Sequence, residues 1–175
     1  FGVRLLSELV EPAVYGEVAL FVGIVTLGRQ VFGFPFLQAA LRFYPEAVKK
    51  NIVTFLRRVI QSYLCRAIGI YTLFYLIMGY GYVVFFDHHL SYFLFIVSGF
   101  LLCCEIAFAL ETDFFNAARM QTRFVTFQVL HSWLKPLFAI CSILILDRST
   151  VSILFGYLFA AGIVLSFLYL FPVGR

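Results

Sequence analysis

Apolar residues fall along this chain in five long runs separated by short polar stretches. A helix that crosses a bilayer needs about 20 mostly apolar residues at ~1.5 Å of rise each. By that ruler the runs predict spans over 17–41, 66–86, 90–112, 124–146 and 150–171. The polar breaks are RFYPEAVKKN with its continuation to Arg66, DHH at 87–89, FFNAARMQTR at 114–123 and DRS at 147–149, and the second and fourth read as tight hairpins. Within residues 51–65, Ile52, Phe55, Leu56, Val59 and Ile60 recur at helical spacing opposite Arg57, Arg58 and Gln61. That pattern predicts an amphipathic segment lying along the membrane surface before the second span rises.

Polar residues inside the runs are few and ordered. Arg29 stands at the centre of the first span, Lys135 at the centre of the fourth, and Glu105 about 6 Å from the centre of the third by helical rise. A charge at membrane depth costs at least ~2.5–3.5 kcal/mol and turns toward a bundle interior or a wet cavity. Ser91, Ser98, Glu105 and Thr112 recur every seven residues, as do Gln121, Gln128, Lys135 and Ser142, with His131 one turn from Lys135. Seven residues bring a helix nearly back to one face, so each of these spans carries one polar stripe suited to a water-filled cavity. Thr26, Arg29, Gln30 and Gly33 share a face of the first span. Pro136 removes a backbone donor beside Lys135 and predicts a helix kink at the depth of the charge.

Composition places these runs in lipid. The 175 residues are 63% hydrophobic and 13% charged, with mean hydropathy +0.99 and 23 Phe, 10 Tyr and one Trp. These values are far from those of a soluble domain and predict an all-α, polytopic membrane protein. Cys65, Cys103, Cys104 and Cys141 sit at no metal-ligand spacing and read as small packing residues. Asp87, His88 and His89 form too small a set for a metal site. The stretch YTLFYLIMGYGYVVFF reads as an interfacial aromatic belt with helix contacts at Gly79 and Gly81, and Glu111 and Asp113 read as solvated at a helix end. No metal, cofactor or nucleic acid is expected.

Of the 13 Lys and Arg, Arg42, Lys49, Lys50, Arg57, Arg58, Arg66, Arg119, Arg123 and Arg175 gather on one side of the predicted spans. Only Arg4 and Arg148 fall on the other. The positive-inside rule then puts 1–16 and the two hairpins outside, with the basic breaks and the C-terminus cytoplasmic. The start at Phe1 reads as the beginning of a fragment, with 1–16 an outer loop after a missing helix 1 and 172–175 the start of a cytoplasmic linker.

The stretches RLLSELVEPAVYGEVAL, RQVFGFPFLQAALRFYPEA, FNAAR, HSWLKPLFA and FGYLFAAGIVLS resemble, in that order, the N-terminal half of Wzx-like oligosaccharide flippases. These are polysaccharide biosynthesis membrane proteins of the multidrug/oligosaccharidyl-lipid/polysaccharide exporter superfamily. Tyr15-Gly16, the run from Gln30 through Gly33 and Pro35 to Arg42-Phe43, and Trp133-Leu134-Lys135-Pro136 are the most specific parts.

The resemblance implies that the five spans are helices 2–6 of a six-helix bundle, half of a 12- to 14-helix transporter in a bacterial inner membrane. It implies no enzymatic activity. The cargo would be a lipid-linked oligosaccharide on polyprenyl pyrophosphate, and the partners the bilayer, the missing C-terminal bundle, and a polysaccharide polymerase or glycosyltransferases. Lys135, Arg29 and protonated His131 would hold the phosphates, while Gln30, Gln128 and Ser98 would hydrogen-bond sugars. Glu105 would pair the cations in the empty site, or couple transport to a proton or sodium ion. Lys135 falls within the family pattern; the resemblance assigns no role to Arg29, whose candidacy rests on depth alone. The charges also fit a structural network in a non-catalytic scaffold, and an intramembrane transferase acting on lipid-linked sugars is a third possibility.

Overall fold

The computed structural model describes residues 9–85 and 92–170. The first apolar run becomes a helical rod in three pieces: α1 (Pro12–Gly28), a π-helical turn (Arg29–Gly33) and α2 (Phe34–Lys49). Pro12 opens α1 where its missing N–H is not needed. Pro35 accounts for the π turn. It has no N–H to offer the carbonyl of Val31, and its ring would strike that carbonyl in a regular α turn. The chain widens instead, so that the Phe34 N–H donates to Arg29 O, five residues back.

α2 ends at Asn51, which takes φ 53° and lets the Ile52 N–H donate to Ala47 O at 2.9 Å and its own N–H to Val48 O at 3.1 Å. This is a Schellman cap. The remaining helices are α3 (Val53–Phe85), α4 (Tyr92–Ala117), α5 (Gln121–Ile145) and α6 (Thr150–Leu170). α4 ends in the same motif, with Arg119 at φ 58° and the Met120 N–H donating to Phe115 O at 2.9 Å. The Ser152 N–H donates to Ser149 Oγ at 3.3 Å and caps the start of α6.

No strand occurs among the described residues, and five helices, with Pro12–Lys49 taken as one, are long and apolar enough to cross a membrane. One boundary departs from the sequence pattern. Residues 53–65 form no separate surface segment but the first half of the 33-residue α3. The apolar face of that half splits: Ile60 and Leu64 are buried, whereas Ile52 and Phe55 are exposed. The DHH hairpin, Ser91 and the stretches 1–8 and 171–175 lie outside the described residues.

α4 is the axis of the bundle. It buries sixteen residues, against three each in α3 and α5, whose outer surfaces are apolar side chains such as Ile70, Phe74, Ile77 and Leu137. Helix directions follow from paired residues. Phe21 meets Phe95 with ring centroids 5.3 Å apart, and glycines 28 and 33 lie against Leu102 and Ile106, so α1–α2 runs parallel to α4. The difference in residue number is 74 at Phe21/Phe95 and at Gly28/Leu102, then 73 at Gly33/Ile106. The residue inserted by the π turn is therefore what lets both glycines seat on successive turns of α4. α3 runs antiparallel to α4, as Tyr75/Ser98 and Gln61/Glu111 show. α5 is also antiparallel, through Phe108/His131 and Phe115/Phe127. α5 and α6 approach closely at Gly156, where a Cβ would lie 2.6 Å from Phe138 O.

Candidate functional site

Glu105 lies midway along α4 and is 5% exposed. Three basic side chains from two other elements converge on it. Lys135 Nζ comes to 2.6 Å and His131 Nε2 to 3.2 Å of Glu105 Oε1, both from α5, and Arg29 Nη1 from the π turn stands 3.8 Å from Oε2. The convergence has local causes. His131 and Lys135 are four residues apart on one face of α5, and the π turn carries Arg29 onto the same side of α4. The His131 ring stacks on Phe108 at 4.0 Å and 19°, which fixes its position beside the carboxylate.

Glu105 Oε1 and His131 Nε2 are both sealed from solvent, so the carboxylate depends on these basic neighbours for its compensation. The cations are more open than the anion: the side chains of Arg29 and Lys135 are 39% and 28% exposed, against 6% for Glu105. Two permanent cations and an imidazole thus face one carboxylate, with the cations reachable from outside. Asp113, two turns further along α4, also lies within electrostatic reach of Arg29.

The other residues that the sequence pattern singles out are dispersed. Ser98 is fully buried, donating to Leu94 O at 2.7 Å and sharing a 2.8 Å hydrogen bond with the Tyr75 hydroxyl of α3. Thr112 is likewise buried, donating to Phe108 O and Ala109 O of its own helix. The α4 stripe is therefore covered by different neighbours along its length and does not face one cavity. Gln128 is half-buried, and its carbonyl accepts the Ser132 hydroxyl at 2.7 Å. Gln30 is exposed and lines a groove of about 580 Å³ with Thr26, Gly23 and Tyr157, away from Glu105's immediate contacts. Pro136 lies inside α5 directly after Lys135.

A second buried charge pair escapes the stripe pattern. Glu111, expected to be solvated, is 3% exposed; Arg57 of α3 forms an ion pair with its Oε2, and Gln61 Nε2 donates to its Oε1 at 3.0 Å. Arg57 also lies over the Phe114 ring at 5.9 Å. Six residues turn a helix by about 240°, so Glu111 faces α3 while Glu105 faces α5 and the π turn. The signal available in the sequence was the four-residue spacing of Arg57 and Gln61. At the opposite end Thr150 donates to Glu17 Oε2 at 2.6 Å, tying α1 to the start of α6. Gly79 is buried against Phe95 as a helix contact, whereas Gly81 has nothing within 4 Å of an added Cβ. No group of three or more His, Cys, Asp or Glu able to hold a metal occurs among the described residues.

No family model, no curated protein and no solved structure matches this chain.

Proposed function

We propose that this chain is one helical bundle of a membrane transporter for an anionic, lipid-linked substrate, and that the cargo is an oligosaccharide on polyprenyl pyrophosphate. The observation that carries the reading is the Glu105 group: a buried carboxylate held by Lys135, His131 and Arg29, with Lys135 and Arg29 partly open. The resemblance of its motifs to the N-terminal half of Wzx-like flippases supports the same cargo. In this reading the protein lies in a bacterial cytoplasmic membrane, with the basic breaks inside, and a second bundle closes the cavity.

A diphosphate crossing a bilayer must be compensated at mid-depth, where low dielectric strengthens Coulomb attraction. Lys135 and Arg29 supply fixed positive charge at that level, and Glu105 offsets about half of it when the site is empty. Entry of the anion supplies the counter-charge that a single carboxylate cannot. Rocking of the two bundles then exposes the site to either side. Gln30 on the π turn and the half-buried Gln128 on α5 are the amides available to sugar hydroxyls; the buried Ser98 acts in positioning Tyr75.

The test uses the full-length parent protein in a strain lacking it, with Lys135→Ala, Arg29→Ala and Glu105→Gln made singly. Surface polysaccharide and inserted protein are measured together. Loss of more than nine-tenths of export at unchanged protein level for Lys135→Ala supports the reading. Export that survives all three changes, or that falls only in proportion to protein, overturns it and makes the charges structural.

A further inference from the structure

The turn joining α2 to α3 presents a surface that the transport reading does not use. Phe43, Val48, Ile52 and Phe55 are 46%, 48%, 43% and 65% exposed there. Among them stand Arg42, Lys49, Lys50 and Arg58, all exposed and without an ion pair among the described residues, whereas the neighbouring Arg57 is committed to Glu111. Arg42 lies over the Phe43 ring at 5.8 Å. Between the two helix ends runs a groove of about 190 Å³ lined by Phe43, Ile52, Phe55, Leu56 and Lys50, with Glu46 as the single acid. That volume is below the ~300–1,000 Å³ of small-molecule pockets and suits a segment of hydrocarbon chain.

Depth along the helices identifies the medium. With the mid-plane at Glu105, the pairs Tyr75/Ser98 and Gln61/Glu111 put the level point of α3 near residues 67–68, and Gly33/Ile106 puts that of the first rod near residue 32. At ~1.5 Å per residue, Phe43 and Phe55 then lie about 16–19 Å from the mid-plane and Lys49 and Lys50 about 25–27 Å. The hydrocarbon half-thickness is ~15 Å and the headgroups reach ~20–22 Å. The aromatic rings thus sit at the chain–headgroup boundary, and the backbones of the lysines about 3–7 Å outside the headgroups, from where their long side chains reach back to the phosphates.

We infer that the α2–α3 turn is a binding site for an anionic phospholipid of the adjoining leaflet, its phosphate held by Arg42, Lys49 and Lys50 and the start of one acyl chain in the groove. Four unpaired cations around one acid supply the charge complementarity, and Asn51 holds the two helix ends at the angle that opens the groove.

The experiment titrates the purified chain in neutral detergent with dioleoyl phosphatidylglycerol or dioleoyl phosphatidylcholine and reads occupancy by native mass spectrometry. Phosphatidylglycerol is expected to bind more tightly. Half-saturation should shift about fivefold for each basic residue removed and roughly a hundredfold for Arg42→Gln/Lys49→Gln/Lys50→Gln. Phe43→Ala/Phe55→Ala should weaken binding as well, and the Arg119→Gln/Arg123→Gln control should leave it unchanged, with helicity followed by circular dichroism in every variant. Equal affinity for the two lipids, or equal loss in the control, overturns the proposal in favour of diffuse charge. Failure of phosphatidylglycerol to bind overturns it too and leaves the surface to a protein partner.

Discussion

At the scale of single residues, the bundle separates two kinds of buried charge. The Arg57–Glu111 pair, completed by Gln61 and the Phe114 ring, has its hydrogen bonds made and joins α3 to α4. Removing one partner strands the other, and Arg57→Ala is expected to cost about 3–5 kcal/mol, whereas Arg57→Met/Glu111→Leu together should recover most of that. Unfolding titrations in mixed detergent micelles measure both. Glu105 is different, because one buried carboxylate faces Lys135, Arg29 and His131 together, and two of these are partly open. Arg119 adopts a left-handed conformation that disfavours any residue with a Cβ. Arg119→Gly is therefore expected to stabilise the chain by up to about 1 kcal/mol in the same titration, and an unchanged midpoint would show the cap to be unstrained.

At the scale of elements, glycine contacts and the π turn set the helix separations. A Cβ at Gly156 would lie 2.6–2.7 Å from backbone atoms of Phe138 and Ala139, while one at Gly162 meets nothing within 4 Å. Backbone cannot yield as a side chain does, so Gly156→Ala should cost about 1–3 kcal/mol and Gly162→Ala almost nothing. A thermal melt in detergent comparing the two variants checks the contrast. The π turn makes a sharper prediction. Deleting the exposed Val31 removes the extra residue and leaves glycines 28 and 33 four residues apart, a spacing that keeps both on one face of a regular α turn. An alanine inserted after Val31 instead turns α2 by about 100° relative to α1 and unseats one glycine, so the insertion should destabilise far more than the deletion. An insertion mutant as stable as the deletion would mean that the turn carries no packing role.

At the scale of the whole molecule, the exterior divides by polarity. The outer side of α3 from Ile70 to Met78 offers Ile70, Leu73, Phe74, Ile77 and Met78, all apolar and exposed, as a lipid face should. Thr26, Gln30 and Ser132 are exposed polar residues on α1, the π turn and α5. In a background with all four cysteines replaced by alanine, cysteines at Gln30 and Ser132 should react with a membrane-impermeant maleimide in intact vesicles of suitable orientation. Cysteines at Phe74 and Ile77 should stay unlabelled. Equal labelling at all four sites would remove the wet surface that the transport reading requires.

The apolar runs were sufficient to determine five long helices and their order, because a stretch of about 20 apolar residues has few alternatives in lipid once every backbone group must bond within its own segment. Depth along the chain likewise singled out Arg29, Glu105 and Lys135, since rise per residue is a property of the helix alone. Only the tertiary structure decided what each polar face meets. Ser98 and Glu105 share a stripe by periodicity, yet one is sealed against Tyr75 and the other opens toward Lys135 and Arg29. Residues 53–65 carry an amphipathic pattern that fits a membrane surface as well as a bundle, and it is the buried Glu111 on α4 that draws Arg57 and Gln61 into one continuous α3. A helical wheel records angle and rise, but the identity of the neighbour at each angle depends on how the helices cross, and crossing is fixed by contacts between residues far apart in the chain.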